Sequence, residues 1–126
     1  MRSIELTLPA DADLMRIARL TASGVATAAG FDLDEVEDVR IAVDEACTAL
    51  IEGGDGQPLH LTYVLEPAAL SFTGTTAAVG HPELEPERLA LSRQILKVVV
   101  DDYEITSGSG EMGVRLHKGR ATGADG

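Results

Sequence analysis

Carboxylates are the residues of this chain most able to do chemistry. Seven of them fall between Asp32 and Glu45, inside a stretch of helical periodicity that ends in an apolar run. A glutamate held at position 45 could act as a general base, taking a proton from a hydroxyl or a water. Such a role needs partners, and the plainer reading is a solvated acid on the outer face of a helix. Cys47 lies on the apolar stripe of the same helix, where a thiol is inert rather than a redox sensor. His60, His81 and His117 have no metal-ligand spacing among themselves and read as single exposed side chains. Asp101, Asp102 and Glu104 could suggest a metal site, but charges at a sheet edge more often guard against edge-to-edge pairing. The run Gly108 to Glu111 is too short to wrap a phosphate and fits a hairpin turn. Spacing supports no Ser-His-Asp or Cys-His arrangement and no metal site.

The elements that position these groups must come from one domain. The chain has 126 residues, with 10 Lys+Arg against 21 Asp+Glu and a formal charge of −11. Hydrophobic residues make up 44%, enough for a core, while aromatics are only 3% and Trp is missing, so that core must be aliphatic. An acidic surface repels phosphates, which excludes a sequence-independent nucleic-acid binder and a protein of anionic membranes. The single Cys47 excludes an intrachain disulfide framework and a Cys-rich zinc site. No apolar stretch approaches the ~20 residues of a membrane span, and the N-terminus shows no signal-peptide pattern, so a cytoplasmic location is expected.

Ser3 to Leu8 alternates as a half-buried strand ended by Pro9. A helix from about Ala12 to Ala29 places Leu14, Ile17, Ala18, Leu20, Val25 and Ala28 near one stripe, and Gly30 stops it. A second helix is expected from Asp34, with Glu37 completing a capping box, and with Val36, Val39, Val43, Ala46, Cys47 and Leu50 inward. Leu59 to Leu65 and Leu70 to Gly74 alternate as strands around a turn at Pro67. Thr75 to Pro86 reads as a loop, and a third helix from about Glu87 to Val100 carries Leu91, Ile95 and Val98 on one side. Asp101 to Thr106 fits a short edge strand, Ser107 to Gly110 a tight turn, and Val114 to Leu116 a last strand. The order β-α-α-β-β-α-β-β predicts an α+β two-layer sandwich, with helices on one face of a mixed, mostly antiparallel sheet. Residues 1–118 form the expected domain, and the Gly/Ala-rich tail 119–126 is expected to be disordered.

Asp38-Val39 and the run Ala42-Val43-Asp44-Glu45-Ala46-Cys47-Thr48 carry a specific resemblance. They resemble the N-box helix of the Bergerat-fold, histidine kinase-like (GHKL) ATPases, and within these the RsbW/SpoIIAB-type anti-sigma factors, the actinobacterial UsfX-like members above all. The resemblance implies that fold. It also implies that the Glu at position 45 would be the general base and that an Asn four residues on would hold Mg²⁺ beside ATP. Residues i and i+4 share a helix face, as that division of labour needs. The Asn position holds Ala49, which has no oxygen for a hard cation.

The other nucleotide features of the family are also altered here. The adenine box, Asp-x-Gly-x-Gly in the family, corresponds to Thr76-Ala77-Ala78-Val79-Gly80, so Thr76 replaces the Asp, Ala78 the first Gly, and Gly80 alone is kept. The Gly-rich phosphate lid corresponds to Glu87 through Ser92, without glycine, and Glu83, Glu85 and Glu87 repel a triphosphate. No cofactor is therefore expected, ATP and Mg²⁺ entering only if a divergent pocket still works, and Glu45 is then a relic.

The partner side of the resemblance is better kept. Gap-free alignment of the first helix puts Arg19 where relatives contact a sigma factor, with Arg16 one turn earlier. The expected function is an anti-sigma factor that sequesters an alternative sigma factor and is released by a STAS-domain anti-anti-sigma protein. A homodimer is compatible with the family. An acidic surface would suit the basic patches of DNA-reading sigma domains. The alternatives are an active serine kinase of an anti-anti-sigma protein, and a non-enzymatic interaction module with a partner outside transcription.

Overall fold

The computed structural model describes residues 2–79 and 84–120. β1 (Arg2–Leu8) follows the predicted alternation, and Pro9, which lacks a ladder donor, lies just beyond it. Asp11 accepts from the backbone N–H of Asp13 at 2.9 Å and caps a single 3₁₀ turn (Ala12–Leu14) leading into α1 (Met15–Ala28). The chain reverses through Gly30, whose φ of +89° suits glycine, into α2 (Leu33–Gly53). The capping box sits two residues earlier than expected. Asp32 and Glu35 each accept the other's backbone N–H at 2.8 Å. This choice places Phe31 just before the cap and Val36 one turn inside it, where both pack on the core. Glu37 is left to hold Arg40 at 3.2 Å.

β2 (Leu59–Glu66), β3 (Ala69–Ala77), α3 (Pro86–Val99), β4 (Asp102–Gly108) and β5 (Glu111–Gly119) complete the expected order. The sheet runs β1-β2-β3-β5-β4, and every neighbouring pair is antiparallel, so the α+β sandwich stands while its sheet is not mixed. Connectivity explains the difference. The α1–α2 pair starts and ends at the same end of the sheet, so β2 runs back beside β1. α3 carries the chain over to β4, parallel to β3, but β5 returns through a tight turn and takes the place between them. Inward Leu59, Leu61, Tyr63, Leu70, Phe72, Val114 and Leu116 meet the helices, while His60 and Thr73 face outward on the other side. Tyr63 pins α1 to this layer: its hydroxyl donates to the carbonyl of Ala18 at 2.9 Å and its ring meets Phe72 edge-on at 5.0 Å. Burial pushes its phenol well above the usual range.

Two helices sit on a different stripe from the expected one. α1 turns Met15, Ala18, Ala22, Val25 and Ala26 inward and leaves Ile17, Leu20 and Ala28 outside. Small residues face the core because Tyr63 and α2 press closely against that side. α3 buries Ser92, Leu96 and Val99, whereas Leu91 and Val98 are exposed and Ile95 is half-buried. α3 carries apolar residues on two adjacent stripes, and polar contacts made by Arg88 and Ser92 decide between them. β3 runs on to Ala77, beyond the expected strand end, and β5 runs to Gly119. The backbone N–H of Arg120 donates to the carbonyl of Ala68 at 2.7 Å, so residues 119 and 120 are held rather than disordered. Residues 121–126, and Gly80, His81 and Glu83, lie outside the described residues.

Candidate functional site

Glu45 is neither a solvated acid nor a free base. α2 directs it toward α3, where its Oε2 lies 2.7 Å from Arg88 Nη1 and accepts the Ser92 hydroxyl at 2.5 Å. The same guanidinium reaches Glu52 Oε1 through Nε at 2.6 Å and donates to Ser92 Oγ at 2.9 Å. Glu45 and Glu52 are seven residues apart, two helical turns, so one arginine can span both. The Glu45 side chain is 11% exposed and that of Arg88 22%, and Ser92 is wholly buried. The hydrogen bond to Glu45, above all, holds the Arg88 guanidinium in its charged form, with Glu52 adding to it. The Glu45 carboxylate is thus engaged by a guanidinium and a hydroxyl rather than open to a substrate.

The positions matched to the family's nucleotide contacts are occupied by packing. Ala49 and Ala78 are buried, and Ala78 donates its backbone N–H to the carbonyl of Gly110 at 2.9 Å. Thr76 is buried, and its hydroxyl shares its proton between the carbonyls of Gln57 and Pro58, both at 3.0 Å. The end of α2 is pressed against it: a Cβ on Gly54 would come 2.8 Å from Thr76 Cγ2, and one on Gly53 would strike Met112 Sδ at 2.5 Å. Glu87 to Ser92 forms the first turns of α3. Between α3 and β4–β5 remains a cavity of about 90 Å³ lined by Leu84, Leu89, Ile105, Ser107 and Met112. Cofactor-sized pockets run from roughly 300 Å³ upward.

The predicted arginines lie on the other flank of α2. Arg19 donates to Asp44 Oδ1 at 2.7 Å and stays partly exposed. Arg16 is exposed and joins Arg19, Leu20 and, from α2, Arg40 around an open groove of about 290 Å³. Sequence reasoning missed Arg40 because it sits in the most acidic stretch of the chain.

Residues 8–118 match the family model of the histidine kinase-like ATPase domain. The chain belongs to that family. The serine-protein kinase RsbW of Halalkalibacterium halodurans is 43% identical over 65 residues, covering 47% of this chain and 40% of that protein. The serine-protein kinase RsbW of Bacillus cereus is 47% identical over 49 residues, covering 39% and 31%. The chain thus spans less than half the length of these curated relatives. A crystal structure of RsbU and RsbW domains from Mycobacterium tuberculosis matches 94% of this chain and 32% of its own with a TM-score of 0.73, at 15% identity, a likeness of fold. The resemblance to RsbW-type proteins is borne out by these matches.

Within this ATPase-domain fold the remaining candidates have structural places. Cys47 is buried, and burial foremost, with Asp44 adding repulsion, pushes its thiol up to about 12. His60 pairs with Thr7 at 3.3 Å, and His117 with Ser71 at 3.0 Å. Asp102 and Glu104 flank Arg115 at 3.8 and 3.2 Å, and Asp101 accepts the backbone N–H of Gly119 at 2.7 Å. Among the described residues no helix is long and apolar enough to cross a membrane. Arg88, Ser92 and Glu52 also escaped the sequence reading. The signal was there in retrospect: Arg88 and Ser92 at i, i+4 face Glu45 and Glu52 at i, i+7.

Proposed function

We propose that this protein is an anti-sigma factor. It sequesters an alternative sigma factor by direct binding, blocks its docking to RNA polymerase core in the cytoplasm, and yields it to a STAS-domain anti-anti-sigma protein competing for the same surface. One observation carries the reading: the family's catalytic carboxylate, Glu45, is tied to Arg88 and Ser92, while Arg16 and Arg19 on α1 stay accessible. The residues present do not fit a magnesium nucleotide. Ala49 offers no ligand, the Thr76 hydroxyl is spent on two carbonyls, and the nearby cavity is about 90 Å³. The protein acts as a binding partner rather than as an enzyme, with Arg16 and Arg19 as its contact residues.

The test uses the full chain and a purified alternative sigma factor from the same genome. A complex seen by calorimetry, and inhibition of transcription in vitro, are expected without nucleotide and unchanged by millimolar Mg-ATP. The absence of both complex and inhibition would refute the reading. Arg19→Glu should weaken the complex at least tenfold, about 1.4 kcal/mol, and an unchanged dissociation constant would remove Arg19 from the interface.

A second reading, an active serine kinase of an anti-anti-sigma protein, is favoured by the curated relatives being serine-protein kinases. Heat of Mg-ATP binding together with phosphoryl transfer to a STAS-domain protein would establish it. No heat up to millimolar nucleotide would dispose of it.

A further inference from the structure

We propose that the outer groove between α2 and α3 receives a basic amphipathic helix of a protein partner, seated on Leu91, Ile95 and Val98. α3 carries apolar residues on two stripes and spends only one on the core. Leu96 and Val99 are buried beside Ser92, whereas Leu91 is 48% exposed, Val98 82%, and Ile95 is half-buried. Residues 91, 95 and 98 follow the spacing i, i+4, i+7 and form one continuous apolar line. α2 supplies the other wall. Arg88 pairs with Glu52 and Glu45, and Ser92, one turn on, bonds Glu45, so the two helices run antiparallel. One turn further, Ile95 comes level with Ile41 of α2, itself 38% exposed. Lys118 fixes the next level: it donates to the carbonyl of Val99 at 3.0 Å and lies 3.6 Å from Asp38. An apolar line along one helix, walled by a second, is a seat for the ridge of a third.

The charges beside this line do not cancel. Arg88 is shared by two carboxylates, Glu45 and Glu52, which leaves that network one negative charge. Glu37 and Asp38 are matched by Arg40 and Lys118. Asp34 in the first turn of α2 and Glu87 in the first turn of α3 are exposed and have no ion pair among the described residues. The other two cations of α3 stand elsewhere. Measured from Leu91, Arg88 lies about 60° round the helix toward α2, Lys97 about 120° round on the opposite flank, and Arg93 about 160°. Lysine or arginine flanks on an entering helix therefore meet unmatched carboxylates while its apolar face covers Leu91, Ile95 and Val98. The same charges count against other occupants. A second copy sets −11 against −11, and an acidic helix, a nucleic acid or an anionic membrane adds negative charge to negative. The face lies on the other flank of α2 from Arg16 and Arg19, so it stands whatever partner those arginines take.

The probes are three synthetic peptides of about 18 residues. One sets leucines at i, i+4, i+7 and i+11 between lysine flanks. The second has the same composition in an order without helical periodicity, and the third has Glu in place of Lys. Each is titrated into the wild-type chain, Leu91→Ser/Val98→Ser, Asp34→Lys and Glu111→Lys, followed by fluorescence anisotropy and backbone amide shifts. The amphipathic basic peptide should bind at least about tenfold more tightly than either control and shift amides of residues 34–48 and 87–98. Leu91→Ser/Val98→Ser should weaken it at least about tenfold, and Asp34→Lys about threefold. Glu111→Lys, the same change of net charge placed on β5, should leave binding unchanged. No binding, equal binding of either control peptide, shifts centred elsewhere, or equal effects of Asp34→Lys and Glu111→Lys would overturn the proposal. So would self-association of the wild-type chain, seen by sedimentation, that Leu91→Ser/Val98→Ser abolishes, since the stripe would then belong to a second copy.

Discussion

Replacing Arg88 by Met keeps most of the stem volume and removes the charge that spans α2 and α3. Glu45, 11% exposed beside Arg88, is then left with the Ser92 hydroxyl as its partner. An exposed pair is worth about 0–1 kcal/mol, whereas breaking a fully buried pair costs about 3–5 kcal/mol because one charge is stranded. The Glu45 end is close to the buried limit and the Glu52 end, 48% exposed, is close to the exposed one. The expected loss is therefore about 2–3 kcal/mol, read by urea unfolding. At roughly 3–5 °C per kcal/mol for a domain of this size, the midpoint should fall by about 6–15 °C. Glu45→Gln with Arg88→Met strands no charge, so the double variant should recover about 1–2 kcal/mol relative to Arg88→Met alone. A loss below about 0.5 kcal/mol, or strict additivity of the two single changes, would show that the contact is a surface pair and does not clamp α3.

Burial of Cys47 makes stability fall at alkaline pH. Its thiol is raised from 9.0 to about 12, so the unfolded chain ionises first and the contribution, complete below pH 9, is lost as pH rises toward 12. Between about pH 8 and 10 the wild type should lose about 1.4 kcal/mol more than Cys47→Ala, measured by denaturant unfolding across pH, and parallel profiles would contradict the assignment. Thr76→Val keeps the shape but leaves the carbonyls of Gln57 and Pro58 without their donor. It should cost about 1–2 kcal/mol and raise hydrogen exchange in residues 54–58; an unaltered loop would return Thr76 to a packing role. Tyr63→Phe should cost about 1 kcal/mol through the lost bond to Ala18, and a neutral substitution would mean that ring packing alone holds α1.

The element order was legible because the strands alternate cleanly and glycine or proline marks most turns. The fold group was legible from one helix, where Ala42 through Thr48 keep the family's pattern. Rotation of the helices was harder to read, since apolar type alone does not say which of two adjacent stripes is buried. Leu20 and Val98 are as apolar as the residues that are inside, yet they are 69% and 82% exposed. Alanines take the inward positions of α1 because closely packed backbones exclude larger side chains. The Arg88 network was hidden for a different reason: its members are up to 47 residues apart, and their meeting depends on how α3 crosses α2. Spacing within one element could place Glu45 and Glu52 together but could not say what cation they face.

Asp44 and Glu45 are consecutive on α2, about 100° apart around the helix, and they hold opposite neighbours. Asp44 ties Arg19 of α1 at 2.7 Å, and Glu45 ties Arg88 of α3 at 2.7 Å. The first pair is about half-exposed and so is broken at small cost; the second is mostly buried and is costly to break. One dipeptide of the family's signature helix thus makes a weak contact on its α1 side and a strong one on its α3 side. The asymmetry leaves α2 firmly joined to α3 and only loosely charge-paired to α1, on the side where the groove of Arg16, Arg19, Leu20 and Arg40 opens.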